Sequence, residues 1–367
     1  MNYKTIVYPF DRNFLPILRS KQYPLDIEIV GLVAPEGWGF AGFDAGTIDF
    51  GSALDIEVTS NFQQQLASCD TVLFVEIDHS TETLPDIKDS INLAIDAKKN
   101  IFCTYPLSQT DTEEISEKCK ANRLEFRNYR NEQDSGAKGE LSYRSKKIFE
   151  LDVPVLMCFG LMEQVDKFQT QLSFLNFFRE KGYKTELVSS RNLGRFIGAN
   201  SMPSFMFDNG MSDEEKVYNF NGYIVDLCIK TKPDMLIIGA PGGLIPTNRS
   251  LSNRFGICPF LITRAVIPDI SVVCLPYEDF KDEYFKEFDL MMKYRFSSEN
   301  NFYSVSNLVL DYLSRAVPDE HSILHARQCS LKSINSYKNR VFHITERDAL
   351  MEAVFEGFIE NAAYSVL

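Results

Sequence analysis

The stretch VPVLMCFGLMEQVDKFQTQ, residues 153–171, carries the residues with the clearest potential for chemistry. An apolar segment runs into Gly160, and Lys167 follows seven positions later at the start of an amphipathic pattern. A strand, a glycine-bearing turn and a helix N-terminus direct backbone N–H groups and the positive end of a helix dipole at one small volume, where a phosphate can bind. The candidate ligand-binding residues of this loop are Gly160, Gln164, Asp166, Lys167 and Thr170.

Two positions depart from the usual phosphate-loop signature, which has glycine before the lysine and serine or threonine after it. Asp166 replaces the glycine, so we expect it to give up the positive φ and to repel a phosphate. Two like charges about 4 Å apart repel by roughly 4 kcal/mol at an effective dielectric of 20, although bound Mg²⁺ would reverse that effect. Phe168 replaces the magnesium-ligating hydroxyl, and Thr170 is the next candidate, about 3 Å deeper along the helix. The alternative is a core strand and helix with a solvated Lys167.

A second glycine-rich turn lies in PDMLIIGAPGGLIP, residues 233–246. The apolar run predicts a buried strand that ends in a turn containing Gly239, Gly242 and Gly243. In open α/β sheets ligands bind outside the carboxyl ends of the strands. We therefore expect this turn to face the Lys167 loop as the opposite wall of one site. The alternative is a tight corner between a strand and a loop.

Length and periodicity predict two α/β domains. A chain of 367 residues exceeds one ordinary hydrophobic core, and short apolar runs alternate with helical patterns, which implies parallel sheets of βαβ units. We predict a Rossmann-like domain over 1–130, a linker over 131–147 and a degenerate P-loop NTPase-like domain over 148–367. In the last domain, we expect Thr345 to cap a C-terminal helix that extends through Ala363.

Composition excludes several classes of function. The formal net charge of −13 disfavours binding to nucleic acid or to anionic membranes. The chain shows neither a leader pattern nor eighteen uninterrupted apolar residues, so we expect a cytoplasmic protein. Eight scattered cysteines suit reduced, buried thiols. His321 and His325 could share a helix face, but no metal-binding frame accompanies them, so we predict no metal site.

The segment GWGFAG, residues 37–42, matches the glycine pattern of dinucleotide-binding turns. That mechanism requires a helix to open at the turn, whereas FDAGTIDFG follows here without helical spacing. We interpret the segment as a structured loop that carries Trp38, Asp44 and Asp49. An exposed Trp38 and the two aspartates could contact a ligand or partner.

Several segments resemble known families. GLMEQVDKFQT and GAPGGLIP are similar to the loops of dethiobiotin synthetase and its P-loop relatives. The predicted order of domains resembles the group that includes D-glutamate N-acetyltransferase, in which a Rossmann-like domain precedes a P-loop domain. The P-loop pattern has a magnesium-binding acid at the end of a second strand, but the corresponding run here, DMLIIG, ends in glycine. The candidate substitutes for that acid are Asp208, Asp213, Glu214 and Glu215, which a helix N-terminus also explains.

Over nearly its full length, the chain most resembles a bacterial peptide maturation system protein family. The segments that carry this resemblance are VYPF, IVGLVAPEGWGFAGFDAG, CDTVLFVE, GLMEQVDKFQTQLS and IIGAPGGLIPTNRSLSNRFGI. The family is encoded beside radical SAM enzymes in cassettes that make bacteriocin-type ribosomal peptides. The resemblance implies an accessory protein of peptide maturation that binds the precursor peptide or the radical SAM maturase.

Two functions follow as alternatives. The first is the accessory protein, with a degenerate P-loop that binds a nucleotide or another anion weakly. The second is a nucleotide- or acyl-CoA-dependent transferase or ligase that acts on a peptide or an amino acid. The candidate cofactors are ATP or GTP with magnesium, or an acyl-CoA, and a homodimer is left open.

Overall fold

The computed structural model describes residues 2–20, 23–48, 51–76, 86–129, 146–246, 252–310, 324–326 and 337–364. The chain forms two compact units, Met1–Asn131 with Asn192–Ala199, and Glu132–Arg191 with Asn200–Leu367. Each unit is built on a parallel sheet with helices, which confirms the predicted two-domain α/β class. The linker predicted over 131–147 lies outside the described residues except for its last two. None of the described helices is long and apolar enough to cross a membrane.

The first unit contains a six-stranded parallel sheet in the order β3-β2-β1-β4-β5-β6. This is the strand order of a dinucleotide-binding fold, with its switch point between β1 and β4. The strands are β1 (Tyr3–Tyr8), β2 (Ile27–Val33), β3 (Val58–Thr59), β4 (Thr71–Phe74), β5 (Asn100–Cys103) and β6 (Phe126–Asn128). The helices are α1 (Leu15–Ser20), α2 (Phe62–Gln65), α3 (Ile87–Asp96) and α4 (Gln109–Ala121).

The segment Asn192–Ala199 belongs to the first unit although it follows a strand of the second. Glu76, just beyond β4, accepts hydrogen bonds from the backbone N–H groups of Asn192 and Leu193, at 3.2 and 3.0 Å. The fully buried ring of Phe196 packs against Phe14 and Tyr129. A piece of the chain itself thus lies at the carboxyl edge of this sheet, where a dinucleotide fold places its ligand.

The GWGFAG segment forms turns, and only a short 3₁₀ helix, Ala45–Thr47, follows it. Asp44 organises this loop by accepting hydrogen bonds from the N–H groups of Gly46, Leu54 and Ile56. The expectation of an exposed Trp38 is wrong, because its ring is half-buried and packs against the core of the unit. Asp49 lies outside the described residues.

The second unit contains a seven-stranded parallel sheet in the order β15-β12-β11-β7-β10-β8-β9. The strand that leads into Lys167 lies at its centre. The strands are β7 (Val155–Gly160), β8 (Thr185–Ser189), β9 (Asn200–Ser201), β10 (Met235–Gly239), β11 (Ile270–Leu275), β12 (Asn301–Val305) and β15 (Val341–His343). A separate antiparallel pair consists of β13 (Leu308–Leu310) and β14 (Leu324–Ala326).

Helices of the second unit connect these strands, and β7, β10 and β11 are buried throughout. The helices are α5 (Lys167–Glu180), α6 (Asp213–Thr231), α7 (Ile257–Ala265), α8 (Asp282–Phe296) and α9 (Arg347–Tyr364). The prediction that Thr345 caps the last helix is wrong. His343 caps the 3₁₀ turn before α9, and Glu346 returns a hydrogen bond to its backbone N–H.

Asn221, fully buried in α6, aligns this helix with its neighbours. Its amide nitrogen donates to the carbonyl oxygens of Phe149 and Ala265, at 2.9 Å each, and its amide oxygen accepts from the Phe149 N–H at 2.9 Å. Because Ala265 ends α7, these bonds fix α6 and α7 relative to each other.

Replacing Asn221 with alanine removes a partner from those three backbone groups, of which the Ala265 carbonyl oxygen lies in a buried contact and the two Phe149 groups in partly buried ones. We expect Asn221→Ala to lower the free energy of unfolding of the second unit by about 2–4 kcal/mol, measured by urea denaturation. Asp226→Ala, an exposed position of the same helix, is the control and is expected to stay within about 0.5 kcal/mol of the parent. Equal midpoints for the two variants would contradict this role of Asn221.

Candidate functional site

The loop between β7 and α5 has the compact geometry of a phosphate-binding turn. A Cβ on Gly160 would lie 2.6 Å from the carbonyl oxygen of Met162, so no other residue fits there without a shift. The Leu161 N–H donates to the carbonyl oxygen of Cys274 at 2.8 Å, which anchors the start of the loop to β11. The first N–H groups of α5 have no partner within the helix, and the dipole adds positive potential there.

Asp166 keeps the backbone conformation that glycine normally supplies at this position. Its φ of 55° and ψ of 19° are left-handed, a region that aspartate enters more readily than most residues. The expectation that Asp166 gives up a positive φ is therefore wrong. Its carboxylate accepts a hydrogen bond from the hydroxyl of Ser306, just beyond β12, so the charge is partly engaged by the protein. Gln164 is left-handed as well, with φ of 65°.

Lys167 is buried, with 7% of its surface exposed, so the alternative of a solvated lysine is wrong. Its ammonium donates to the carbonyl oxygen of Gly242 at 2.6 Å. Burial lowers the pKa of this amine, Glu163 raises it and Arg191 lowers it further. A lysine has three donors, and within the described part of the chain this one makes a single hydrogen bond and no ion pair.

The glycine turn after β10 meets this loop, because β10 pairs in parallel with β7 and Gly239 lies opposite Cys158. A Cβ on Gly239 would collide with the buried amide of Gln171, which is bonded to Ser190. A Cβ on Gly243 would lie 2.8 Å from the carbonyl oxygen of Leu161. These glycines permit the close approach that brings Gly242 to Lys167.

The side chains available for magnesium are engaged elsewhere. Phe168 is buried in the core. The Thr170 hydroxyl, also buried, donates to the carbonyl oxygen of Asp166 at 3.1 Å, and the Cys274 thiol donates to it at 3.4 Å. Of the candidate acids, Glu215 forms a capping box with Ser212.

The other candidate acids interact with groups close to them in the sequence. Asp208 accepts from the N–H of Gly210 at 2.8 Å. Asp213 and Glu214 are exposed in the first turn of α6, where carboxylates suit the helix dipole.

A run of left-handed residues that the sequence analysis did not predict precedes α7. Asn253, Arg254, Phe255 and Gly256 have φ of 48°, 51°, 55° and 66°. The Asn253 side chain donates to the carbonyl oxygen of Ile245 at 2.6 Å. Asparagine and glycine at the two ends are signals for such a turn, but Arg254 and Phe255 are not, and each costs about 1–2 kcal/mol there.

Histidine pairing does not create a metal site in the described ranges. His325 lies in strand β14, so the expected shared helix face is wrong, and His321 lies outside the described residues. No group of three metal-binding side chains occurs among the residues that were placed.

The fold of the chain is similar to that of solved proteins. A DUF1611 family protein from Anabaena variabilis aligns with a TM-score of 0.57 and 11% identity, over 97% of this chain and 100% of that chain. At this identity the likeness concerns the fold alone. Amine dehydrogenase from Mycobacterium smegmatis aligns with a TM-score of 0.29 and 15% identity, over 47% of this chain and 52% of that chain. The signal recognition particle receptor FtsY from Elizabethkingia anophelis aligns with a TM-score of 0.27 and 14% identity, over 67% of this chain and 77% of that chain. Both superpose too poorly to support an inference. No protein-family model and no curated protein match the sequence.

The environment of Lys167 predicts that this lysine reduces the stability of the second unit. Replacing a buried, incompletely paired charge with an apolar side chain of similar size is often stabilising. We therefore expect Lys167→Met to raise the free energy of unfolding by about 1 kcal/mol relative to the parent protein at pH 7. The exposed Lys184→Met is the control.

The pH dependence follows from the lowered pKa. Between the folded pKa and the ordinary value of 10.5, the unfolded chain binds more protons than the folded one, so the stability of the parent rises with pH. The advantage of Lys167→Met should therefore shrink from pH 7 to pH 10 in urea unfolding experiments. A variant that is less stable than the parent at pH 7 would show instead that the bond to Gly242 outweighs the cost of burial.

Proposed function

We propose that the protein is an accessory factor of ribosomal peptide maturation whose second unit binds a phosphate-bearing or other anionic ligand without hydrolysing it. The observation that supports anion binding is the buried ammonium of Lys167, which has one protein hydrogen bond within the described residues. An anion at the N-terminus of α5 would supply the missing charge and acceptors. The role in maturation rests on the resemblance of the sequence to the peptide maturation family.

The absence of hydrolysis follows from the side chains around the loop. Magnesium bound to a nucleotide phosphate is normally held by a hydroxyl beside the loop lysine and by an acid. Here Phe168 offers no oxygen, and the Thr170 hydroxyl is already committed to the Asp166 backbone. The ligand is therefore held and not cleaved, and its binding can order the surface that meets the precursor peptide or the radical SAM maturase.

A transferase or ligase is the second candidate function. The same lack of oxygen ligands favours an acyl-CoA over ATP within this class, because acyl transfer from a thioester to an amine requires no metal to activate a phosphate. In that case the phosphates of the acyl-CoA would occupy the Lys167 loop, and an amino acid or peptide would accept the acyl group.

Binding of ligand can be tested by thermal unfolding with ATP, GTP and acetyl-CoA at millimolar concentration, with and without Mg²⁺. We expect at least one ligand to raise the midpoint, little dependence on Mg²⁺, and loss of the shift in Lys167→Ala. If none of the three stabilises the protein, the second unit does not bind these ligands and this part of the proposal fails.

The charge of Asp166 can be tested separately from its backbone. Asparagine tolerates left-handed φ and can still accept from Ser306, so Asp166→Asn removes only the charge. We expect the variant to bind inorganic phosphate roughly tenfold more tightly in calorimetry, because a like charge near the anion is gone. Asp152→Asn, an exposed carboxylate at the other end of β7, is the control. Unchanged affinity in Asp166→Asn would mean that Ser306 already neutralises its influence.

The accessory role predicts a complex. Co-expression of the tagged protein with the precursor peptide and radical SAM enzyme of its own cassette should yield a stoichiometric complex with one of them. A tagged Asp152→Asn variant, altered away from the loop, should give the same yield. Recovery of neither partner under conditions where all three proteins are soluble would reject the accessory role.

A further inference from the structure

The last described helix, α9, packs across the sheet of the second unit and against α5. It contacts β11, β12 and β15, and a Cβ on Gly357 would come within 3.0 Å of the Ile270 side chain in β11. The ring of Phe355 contacts the rings of Phe177 and Phe178 in α5, with centroids 6.1 and 6.4 Å apart. The contact that holds the start of α9 therefore also keeps these apolar surfaces covered.

His343, the last residue of β15, holds the turn that leads into α9. Its Nδ1 accepts a hydrogen bond from the backbone N–H of Thr345 at 3.3 Å and lies 2.8 Å from the hydroxyl oxygen of the same residue. Because a backbone N–H can only donate, Nδ1 must be the unprotonated nitrogen of the ring. This cap therefore requires the neutral imidazole, with its proton on Nε2.

The other ring nitrogen of His343 has no acceptor. The residue is 3% exposed, and Nε2 has no hydrogen-bond partner among the described residues. Asparagine, aspartate, serine and threonine are the usual helix caps. Histidine differs from them because its side chain gains a proton between pH 5 and pH 8. A histidine at this position is thus a cap that protonation can remove.

A second proton on the ring can only go to Nδ1. The protonated nitrogen no longer accepts from the Thr345 N–H, and the positive charge lies at the positive end of the α9 dipole. Burial lowers the pKa of His343, and the carboxylate of Glu346 raises it. The stability that His343 contributes is therefore complete above its ordinary pKa of 6.5 and is lost as the pH falls from that value through the folded pKa.

The groups that face the ring from other elements do not favour its protonation. In β12, His343 pairs with the apolar Val305. The ring of Tyr277, beyond β11, meets the imidazole edge to face at 6.2 Å. Arg347, the first residue of α9, carries a like charge. Among the described residues, Glu346 is thus the one carboxylate that favours an imidazolium here.

We propose that His343 is a proton-sensitive latch, which holds α9 on the sheet while its ring is neutral and releases the helix when its ring is protonated. The latch does not depend on any ligand at Lys167. Release uncovers the apolar surfaces of α5 and of the strands beneath α9. Acidification therefore converts a closed form of the second unit into one that exposes a hydrophobic face.

Hydrogen exchange of the α9 amides tests the latch. It is measured by mass spectrometry on the intact chain from pH 7.5 to pH 5.0 and divided by the intrinsic exchange rate. We expect the opening of α9 to increase by up to about thirtyfold at pH 5.0, the limit for a released histidine of pKa 6.5. The amides of α6 should not follow. Unchanged opening of α9, or an equal increase in α6, would reject the latch.

Two substitutions assign the effect to the ring of His343. In His343→Asn, an amide oxygen replaces Nδ1 as the cap and does not titrate, so α9 should open equally at both pH values. Glu346→Gln keeps an acceptor for the His343 backbone N–H and removes the charge that favours the imidazolium, so the increase should be at least as large as in the parent.

Glu360→Gln, exposed near the other end of α9, is the control and should match the parent. Thermal midpoints at pH 7.5 show whether each variant is folded. A pH dependence that persists in His343→Asn, or that shrinks in Glu346→Gln while the control is unchanged, would contradict the latch. The two variants are independent tests, so the loss of folding in one leaves the other decisive.

Discussion

The hydrogen bond between the buried Lys167 ammonium and the Gly242 carbonyl oxygen is the contact around which the second unit is organised. It requires the turn after β7 and the turn after β10 to approach closely. Gly160 and Gly243 permit this approach, because a side chain at either position would meet backbone carbonyl oxygens. A single hydrogen bond to a neutral carbonyl oxygen does not compensate a buried charge, whose desolvation costs several kcal/mol. Under the proposed function, a bound anion supplies the charge that is missing at this loop.

The two departures from the phosphate-loop signature have different physical consequences. Asp166 preserves the left-handed backbone of the loop, and Ser306 engages its carboxylate. Phe168 and the committed Thr170 hydroxyl remove oxygen ligands for a metal. Recognition of an anion depends on the backbone and on Lys167, whereas activation of a phosphate also depends on those oxygens. The same loop can thus support the proposed anion binding without the oxygens that activate a phosphate.

Much of this arrangement could be predicted from the sequence, because it depends on local patterns. The apolar runs before Gly160 and Gly239 predicted two strands, and the parallel sheet then required their turns to share an edge. The left-handed Asp166 could not be predicted, because the phosphate-loop signature has glycine there and the residue that bonds its carboxylate, Ser306, is far away in sequence. The burial of Lys167 could not be predicted either, because its ammonium bonds to the backbone carbonyl oxygen of Gly242, and a residue of any type can provide such an acceptor. The left-handed Arg254 and Phe255 carry no local signal; they lie between Asn253, which bonds to the Ile245 carbonyl oxygen, and Gly256, where a Cβ would collide with the Leu244 backbone.

Different groups lie at the carboxyl edges of the two sheets. In the first unit, Glu76 and the buried Phe196 hold a segment of the chain itself at that edge, whereas in the second unit the edge carries the buried ammonium of Lys167. The rest of the protein is strongly acidic, and its field repels long polyanions such as nucleic acid. At physiological ionic strength, surface charges are screened beyond about 8 Å, so under the proposed function the acidic surface adds little repulsion to a small anion at Lys167. The combination of an acidic surface and a buried lysine thus favours a small anion over a polymeric one as the ligand of the proposed function.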